Sequence, residues 1–241
     1  MNKVGIIGGM GPYAGSGYLQ CFLEECISLL RAAGLEVTDQ RYPPHYVVQH
    51  PVPDRTAALL QGQQGYAAVF QDILGQVHAL QSLGVSAAAM ACNTAHAWHA
   101  DLQHAVPGVR LVHMAEATAA FLAARSVRSV GLLATAGTLR SGMYAQALSA
   151  HGIACLEPDA RELQTIMTGI YGGVKAGDLG LGRSCFAEAL ASMARRTGVA
   201  AFLMACTEIP LALDSAAVAP HLALYDPTRI SAHQLARLAL A

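Results

Sequence analysis

The feature that most constrains this chain is that it contains itself twice. Residues 84–94 read Gly-Val-Ser-Ala-Ala-Ala-Met-Ala-Cys-Asn-Thr, and residues 198–208 read Gly-Val-Ala-Ala-Phe-Leu-Met-Ala-Cys-Thr-Glu. Without a gap, Gly84/Gly198, Val85/Val199, Ala87/Ala201, Met90/Met204, Ala91/Ala205 and Cys92/Cys206 coincide. A second pair precedes the first in the same order. Val-Gly-Ile-Ile-Gly-Gly-Met-Gly at 4–11 resembles Val-Gly-Leu-Leu-Ala-Thr-Ala-Gly at 130–137, and Tyr18 and Tyr144 each follow a Ser-Gly step. Two matches in one order describe two homologous lobes.

Each lobe alternates short apolar runs with helical periodicity, which describes an α/β fold with parallel sheets. In the first lobe, strands are expected at 3–8, 85–91 and 109–113. Helices are expected near 14–33, over 56–82 with Asp54 as N-cap, from about 94, and at 115–125. The second repeats this with strands at 129–134, 153–156 and 199–205 and helices at 140–151, 160–175 and 183–197. A segment from about 214 ends in a helix over 230–240 that returns to the first lobe. The expected division is 1–114 plus 214–241 for the N-terminal lobe and 115–213 for the C-terminal lobe, the two related by a pseudo-twofold.

Composition removes several classes of function. Hydrophobic residues make up 54% and charged residues 13%, with a formal net charge of −1. That is too apolar for disorder and gives no electrostatic case for nucleic acid or an anionic membrane. The apolar run at 4–7 is ended by Gly8, Gly9, Gly11 and Pro12, too early for a signal core or a membrane span. The six cysteines form no C-x-x-C pair and read as free thiols in the cytoplasm.

The repeated cysteines carry the chemistry. Each ends a buried strand and precedes polar residues, Asn93-Thr94 and Thr207-Glu208. Ligands of parallel sheets collect outside the carboxyl ends of strands. A thiol there lies close to a helix N-terminus, which favours the thiolate. For one such cysteine, a buried strand cap is the ordinary reading; two at equivalent points of two lobes make a pair. Thiols facing each other across a cleft suit stereoinversion, one removing a proton as the other delivers one. Asn93, Thr94, Thr138, Thr207 and the amides of the Gly8–Gly11 turn are candidate donors to the developing charge. Arg55, in Pro-Val-Pro-Asp-Arg-Thr, offers a planar fork for a carboxylate.

Three other chemistries fit less well. The glycines at 9, 11 and 15 are misspaced for a dinucleotide loop, and Pro12 removes an amide. Cys92, His96 and His99 have a metal-like spacing but no second ligand cluster, so no metal is expected. Of the two lysines, Lys3 opens a strand, while Lys175 leaves pyridoxal-phosphate chemistry formally open.

Gly-Gly-Met-Gly-Pro (8–12), Pro-Asp-Arg-Thr (53–56), Ala-Cys-Asn-Thr-Ala-His (91–96), His-Met-x-Glu (113–116), Gly-Leu-Leu-Ala-Thr-x-Gly-Thr (131–138) and Ala-Cys-Thr-Glu-Ile-Pro-Leu (205–211) together resemble the aspartate/glutamate racemase family. The resemblance implies two flavodoxin-like lobes with the active site in the cleft between them, commonly a homodimer, and racemisation of an amino acid without a cofactor. Aspartate and glutamate are its first candidates. It implies Cys92 and Cys206 as catalytic thiols. Met10, Gly11, Arg55, Asn93, Thr94, Thr135, Gly137, Thr138, Lys175, Thr207 and Glu208 are then the substrate contacts. Two features depart from the family pattern: Gly15 stands where Thr is usual, and the 41–50 stretch, expected as a loop lining the side-chain end of the pocket, is atypical. A related cysteine-dependent isomerase or lyase of a small dicarboxylate, maleate-isomerase-like, and a non-catalytic carboxylate-binding protein remain as alternatives.

Overall fold

The computed structural model describes residues 1–213 and 221–241. They divide into two compact units, Met1–Ala117 with Thr228–Ala241, and Thr118–Pro227. Each unit holds one four-stranded parallel sheet, and the strand order is the same in both.

In the first unit, β1 (Val4–Ile7) leads through a glycine turn into α1 (Pro12–Ala32), with Pro12 at the first helical turn, where its missing N–H costs nothing. There follow β2 (His45–Val48), α2 (Arg55–Leu60), α3 (Gln63–Ser82), β3 (Ala87–Met90), α4 (His99–Ala105), β4 (Arg110–Val112) and α5 (Met114–Ala123), whose residues from Thr118 on belong to the second unit. The sheet order is β2-β1-β3-β4. β1 and β3 are fully buried, which is why they read as unbroken apolar runs. Gly5 permits close packing on one face: a Cβ there would sit 2.5 Å from Leu80 of α3.

The second unit contains β5 (Ser129–Ala134), α6 (Ala136–Ser141), α7 (Met143–Ser149), β6 (Ala154–Leu156), α8 (Ala160–Thr168), α9 (Leu179–Thr197), β7 (Ala201–Ala205), α10 (Ile209–Ala212) and β8 (Ala223–Tyr225). Its sheet runs β6-β5-β7-β8. The repeat is therefore physical. β1 matches β5, β3 matches β7, and Gly131 reproduces Gly5, making room for Phe202. The repeated Tyr18 and Tyr144 are both buried core residues.

α11 (Pro227–Leu240) lies on the first unit. Ala232, Leu235, Ala236 and Ala239 pack with Val4, Ile6, Tyr18 and Phe22, and Asn2 N–H donates to Ala239 O at 2.8 Å. Arg229 pairs with Glu24 and Glu25 of α1.

Several elements differ from expectation. The helix expected over 56–82 is two, because Gly62 stands at φ 72° between α2 and α3. The expected start of α2 is as read: Asp54 Oδ1 accepts from Ala57 N–H at 2.8 Å. Gly142, at φ 66°, likewise divides 136–149 into α6 and α7. The helix expected over 160–175 ends at Thr168, and the glycine-rich Gly169–Gly173 continues it as a π turn followed by a 3-10 turn at Val174–Ala176. The 41–50 stretch holds an edge strand, β2, rather than loop alone. β8, assigned in sequence to the first lobe, pairs with β7 in the second sheet. The start of that segment, at 214–220, lies outside the described residues. Among the described residues, no helix is long and apolar enough to cross a membrane.

Candidate active site

In the first unit the candidates collect where β1, β2 and β3 end. These strands are parallel, so Gly8, Gln49 and Ala91–Cys92 share one edge of the sheet; Gly8 N–H donates to Val48 O at 2.8 Å and Ala91 N–H to Ile7 O at 2.9 Å. Gly9 must be glycine, since φ is 78° and a Cβ would lie 2.0 Å from His50 O. Met10 is buried, and Gly11 is the residue at which α1 begins.

Cys92 is 6% exposed and leads, through Asn93, into a 3-10 turn at Thr94–Trp98; Asn93 and Thr94 are buried beside it. His96 anchors this turn. Its Nδ1–H donates to Cys92 O at 2.9 Å, with Asn93 O at 3.2 Å. Burial, reinforced by His113 and His99, pulls its pKa down to about 3, so the ring is neutral at physiological pH. His99 lies beside it, with Nε2 against Leu111 O at 2.9 Å. The histidines are thus tied to backbone carbonyls. The role of His96 in holding the cysteine turn was not read from its spacing; a histidine four residues after the cysteine was the only signal.

Arg55 is buried at the start of α2, and its guanidinium is seated on backbone. Nη1–H donates to Val52 O at 3.1 Å and Pro53 O at 3.0 Å, and Nη2–H donates to Met10 O. The fork read as a carboxylate clamp therefore bolts the glycine turn after β1 to the turn before α2.

In the second unit the corresponding edge follows β5 and β7. Thr135 caps α6, its Oγ1 accepting from Thr138 N–H at 3.1 Å and lying 3.1 Å from Thr138 Oγ1. Gly137 and Thr138 are buried in the first turn of that helix. Cys206, also 6% exposed, follows β7 directly. Its thiol donates to Glu208 Oε2 at 3.0 Å, and the Thr207 hydroxyl donates to the same oxygen at 3.0 Å. Lys175 Nζ stands 3.5 Å from Glu208 Oε1 and 5.1 Å from the centre of the Tyr171 ring. Burial first, then the Glu208 carboxylate, holds the Cys206 thiol well above the usual thiol range. This thiol is a proton donor at rest. The Glu208 contact was not legible in sequence, where Glu208 read as a substrate contact.

Of the other cysteines, Cys26 and Cys185 are buried and Cys21 and Cys155 half-buried. Burial pushes Cys26 up to about 11 and Cys155 to about 12, and none of the six forms a disulfide. The structure brings Cys92, Asn93, Thr94, Met10, Gly11 and Arg55 to one edge of the first sheet. It brings Thr135, Gly137, Thr138, Lys175, Cys206, Thr207 and Glu208 to the matching part of the second unit.

A model of the Asp/Glu/Hydantoin racemase family matches residues 7–235. The chain belongs to that family. Among solved structures it is similar to the aspartate racemase of Picrophilus torridus (TM-score 0.80, 26% identity, covering 99% of this chain and 94% of that one). An aspartate racemase homologue from Pyrococcus horikoshii OT3 shares the fold over the full length of both chains (TM-score 0.75, 24% identity). Among curated proteins, the broad specificity amino-acid racemase RacX of Bacillus subtilis is 27% identical over 156 residues, 65% of this chain and 64% of that protein. A glutamate racemase of Pseudomonas aeruginosa is 32% identical over 162 residues, 64% of this chain and 58% of that protein. The matched stretches thus span less than two thirds of these two relatives.

Proposed function

We propose that this family member is an amino-acid racemase that inverts the α-carbon by proton transfer between Cys92 and Cys206. The observation that carries this reading is their equivalence: each thiol follows the third strand of one of two identically ordered sheets. Pure ligand binding gives no reason for a duplicated thiol.

In this mechanism one cysteine, as thiolate, removes the α-proton from one face of the substrate. The other, as thiol, returns a proton to the opposite face, and the roles exchange in the reverse direction. The raised pKa of Cys206 suits it to enter as the acid, with Glu208 holding the thiol proton until transfer. The electron pair left by the α-proton spreads into the α-carboxylate, so donors are needed there. Asn93, Thr94, Thr135, Thr138 and Thr207, with the amides at Met10, Gly11 and Gly137, are assigned that task. Lys175 supplies positive charge next to Glu208. Arg55 acts through the turn it bolts in place. The thiols perform both proton transfers, so the reaction as written uses no cofactor. The reading carries with it a cytoplasmic homodimer, as the family resemblance implies.

Incubating each enantiomer of the common amino acids in D2O tests it. The reading expects α-deuteration together with appearance of the antipode. Aspartate and glutamate, named among the similar proteins, are assayed first. If no amino acid exchanges its α-proton, the reading is wrong.

A further inference from the structure

The edge of the first sheet holds a residue that the mechanism above does not use. Gln49 follows β2, level with the glycine turn of β1. Its Oε1 accepts from Gly9 N–H at 3.3 Å. The side chain fills space that glycines leave open. A Cβ on Gly8 would lie 2.7 Å from Gln49 Oε1, and one on Gly15 would lie 2.2 Å from it. Gly15 and the 41–50 stretch, the two departures from the family pattern, therefore meet at Gln49, since a side chain at 15 would displace its amide.

This fixes what the amide presents. With Oε1 turned to Gly9 N–H, the Nε2 amino group is left as a two-proton donor, with no acceptor among the described residues. β2 and β3 lie two strands apart, either side of β1. Two strand spacings are roughly 10 Å, of which the glutamine side chain spans about half. The remainder, roughly one strand spacing to the β3 edge that Cys92 follows, is about what a short amino-acid side chain covers.

Among the described residues at this edge, the one arginine is already engaged. Arg55 is committed to Val52, Pro53 and Met10 carbonyls, and the carboxylate of Asp54 adjoins it. A substrate carboxylate brought here gains no ion pair from Arg55 and meets the Asp54 carboxylate instead. A hydroxyl or carboxamide accepts from Nε2–H at no such cost.

We infer that Gln49 is the specificity-determining residue of this site and that it selects amino acids with an uncharged, hydrogen-bond-accepting side chain over aspartate and glutamate. The inference rests on the racemase reading and deepens it.

The test is kcat/KM for racemisation of serine, homoserine, asparagine, glutamine, alanine, aspartate and glutamate by the wild type, Gln49→Ala and Gln49→Glu. The wild type should prefer the best hydroxyl or carboxamide substrate to both acids by about tenfold or more. Gln49→Ala should lower that substrate about tenfold, the worth of one hydrogen bond, while alanine changes little. Gln49→Glu keeps the acceptor for Gly9 N–H, and so the turn, but replaces the amino group by an oxygen. It should depress the acids relative to alanine, while a hydroxyl or carboxamide substrate turns its own O–H or N–H to the carboxylate and is retained. Aspartate or glutamate as the best wild-type substrate overturns the inference and leaves the racemase reading standing. Substrate ratios unchanged in both variants do the same. Turnover of no amino acid overturns both.

Discussion

Replacing Glu208 by Gln removes a full negative charge from a thiol 3.0 Å away while keeping the side chain's shape. A unit charge at about 4 Å, with an effective dielectric constant near 20, is worth about 4 kcal/mol. The lost hydrogen bond to the protonated thiol acts in the same direction, and so does Lys175, which would turn from Glu208 to the thiolate. Some of this returns as the site relaxes, and the thiol pKa should still fall. Rates of iodoacetamide alkylation across pH, read at the Cys206 peptide by mass spectrometry, measure it. The wild-type thiol should resist modification through neutral pH, and the variant's profile should shift to lower pH while burial still holds the thiol up. Proton delivery by Cys206 should weaken at the same time, slowing one direction of racemisation in pre-steady-state assays. An alkylation profile for Cys206 that does not move would refute the reasoning about Glu208.

Further outcomes follow from two buried titratable groups. His96 should not titrate by NMR above about pH 5, because burial holds its pKa at about 3. The unfolded chain takes up a proton near pH 6.5 that this ring refuses, so folding stability falls as pH drops through that range. His96→Ala removes the donor to Cys92 O and should cost about 1–3 kcal/mol in urea denaturation. For Glu162, burial alone would raise the carboxyl, but Arg196, the Asp159 N–H and the Ser192 hydroxyl outweigh it and hold it below its ordinary value. A carboxyl depressed in the folded state stabilises above its unfolded pKa and stops doing so as pH falls through its folded one. Glu162→Gln should therefore cost about 2 kcal/mol at neutral pH, a penalty that shrinks below about pH 4.3.

The sequence disclosed those parts of the molecule that obey a period or repeat themselves. β1, β3, β5 and β7 are buried on both faces, so their residues form unbroken apolar runs, and the duplicated Met-Ala-Cys made the two cysteine edges equivalent before any coordinates. Edge strands were harder. β2 is four half-buried residues after two prolines, and β8 is three residues; neither has enough length to show an alternation. Helical periodicity ran straight through Gly62 and Gly142, because a left-handed residue interrupts the backbone without changing which neighbours are apolar. Side-chain direction was the larger loss. Spacing names Arg55 and Glu208 as residues of the site, but not that one is seated on carbonyls and the other on the Cys206 thiol. The fit of Gln49 into the space at Gly15 is a contact between distant segments, and no local pattern announces it.

The central claim is that two thiols, each alone insufficient, invert one carbon. Its most direct test is racemisation by Cys92→Ser and Cys206→Ser, each checked for an unchanged fold by circular dichroism. Each substitution should abolish conversion of either enantiomer into the other, with a loss of about a hundredfold or more, because a serine hydroxyl replaces neither a thiolate base nor its conjugate acid. Wild-type racemisation rates in either single variant would contradict the account.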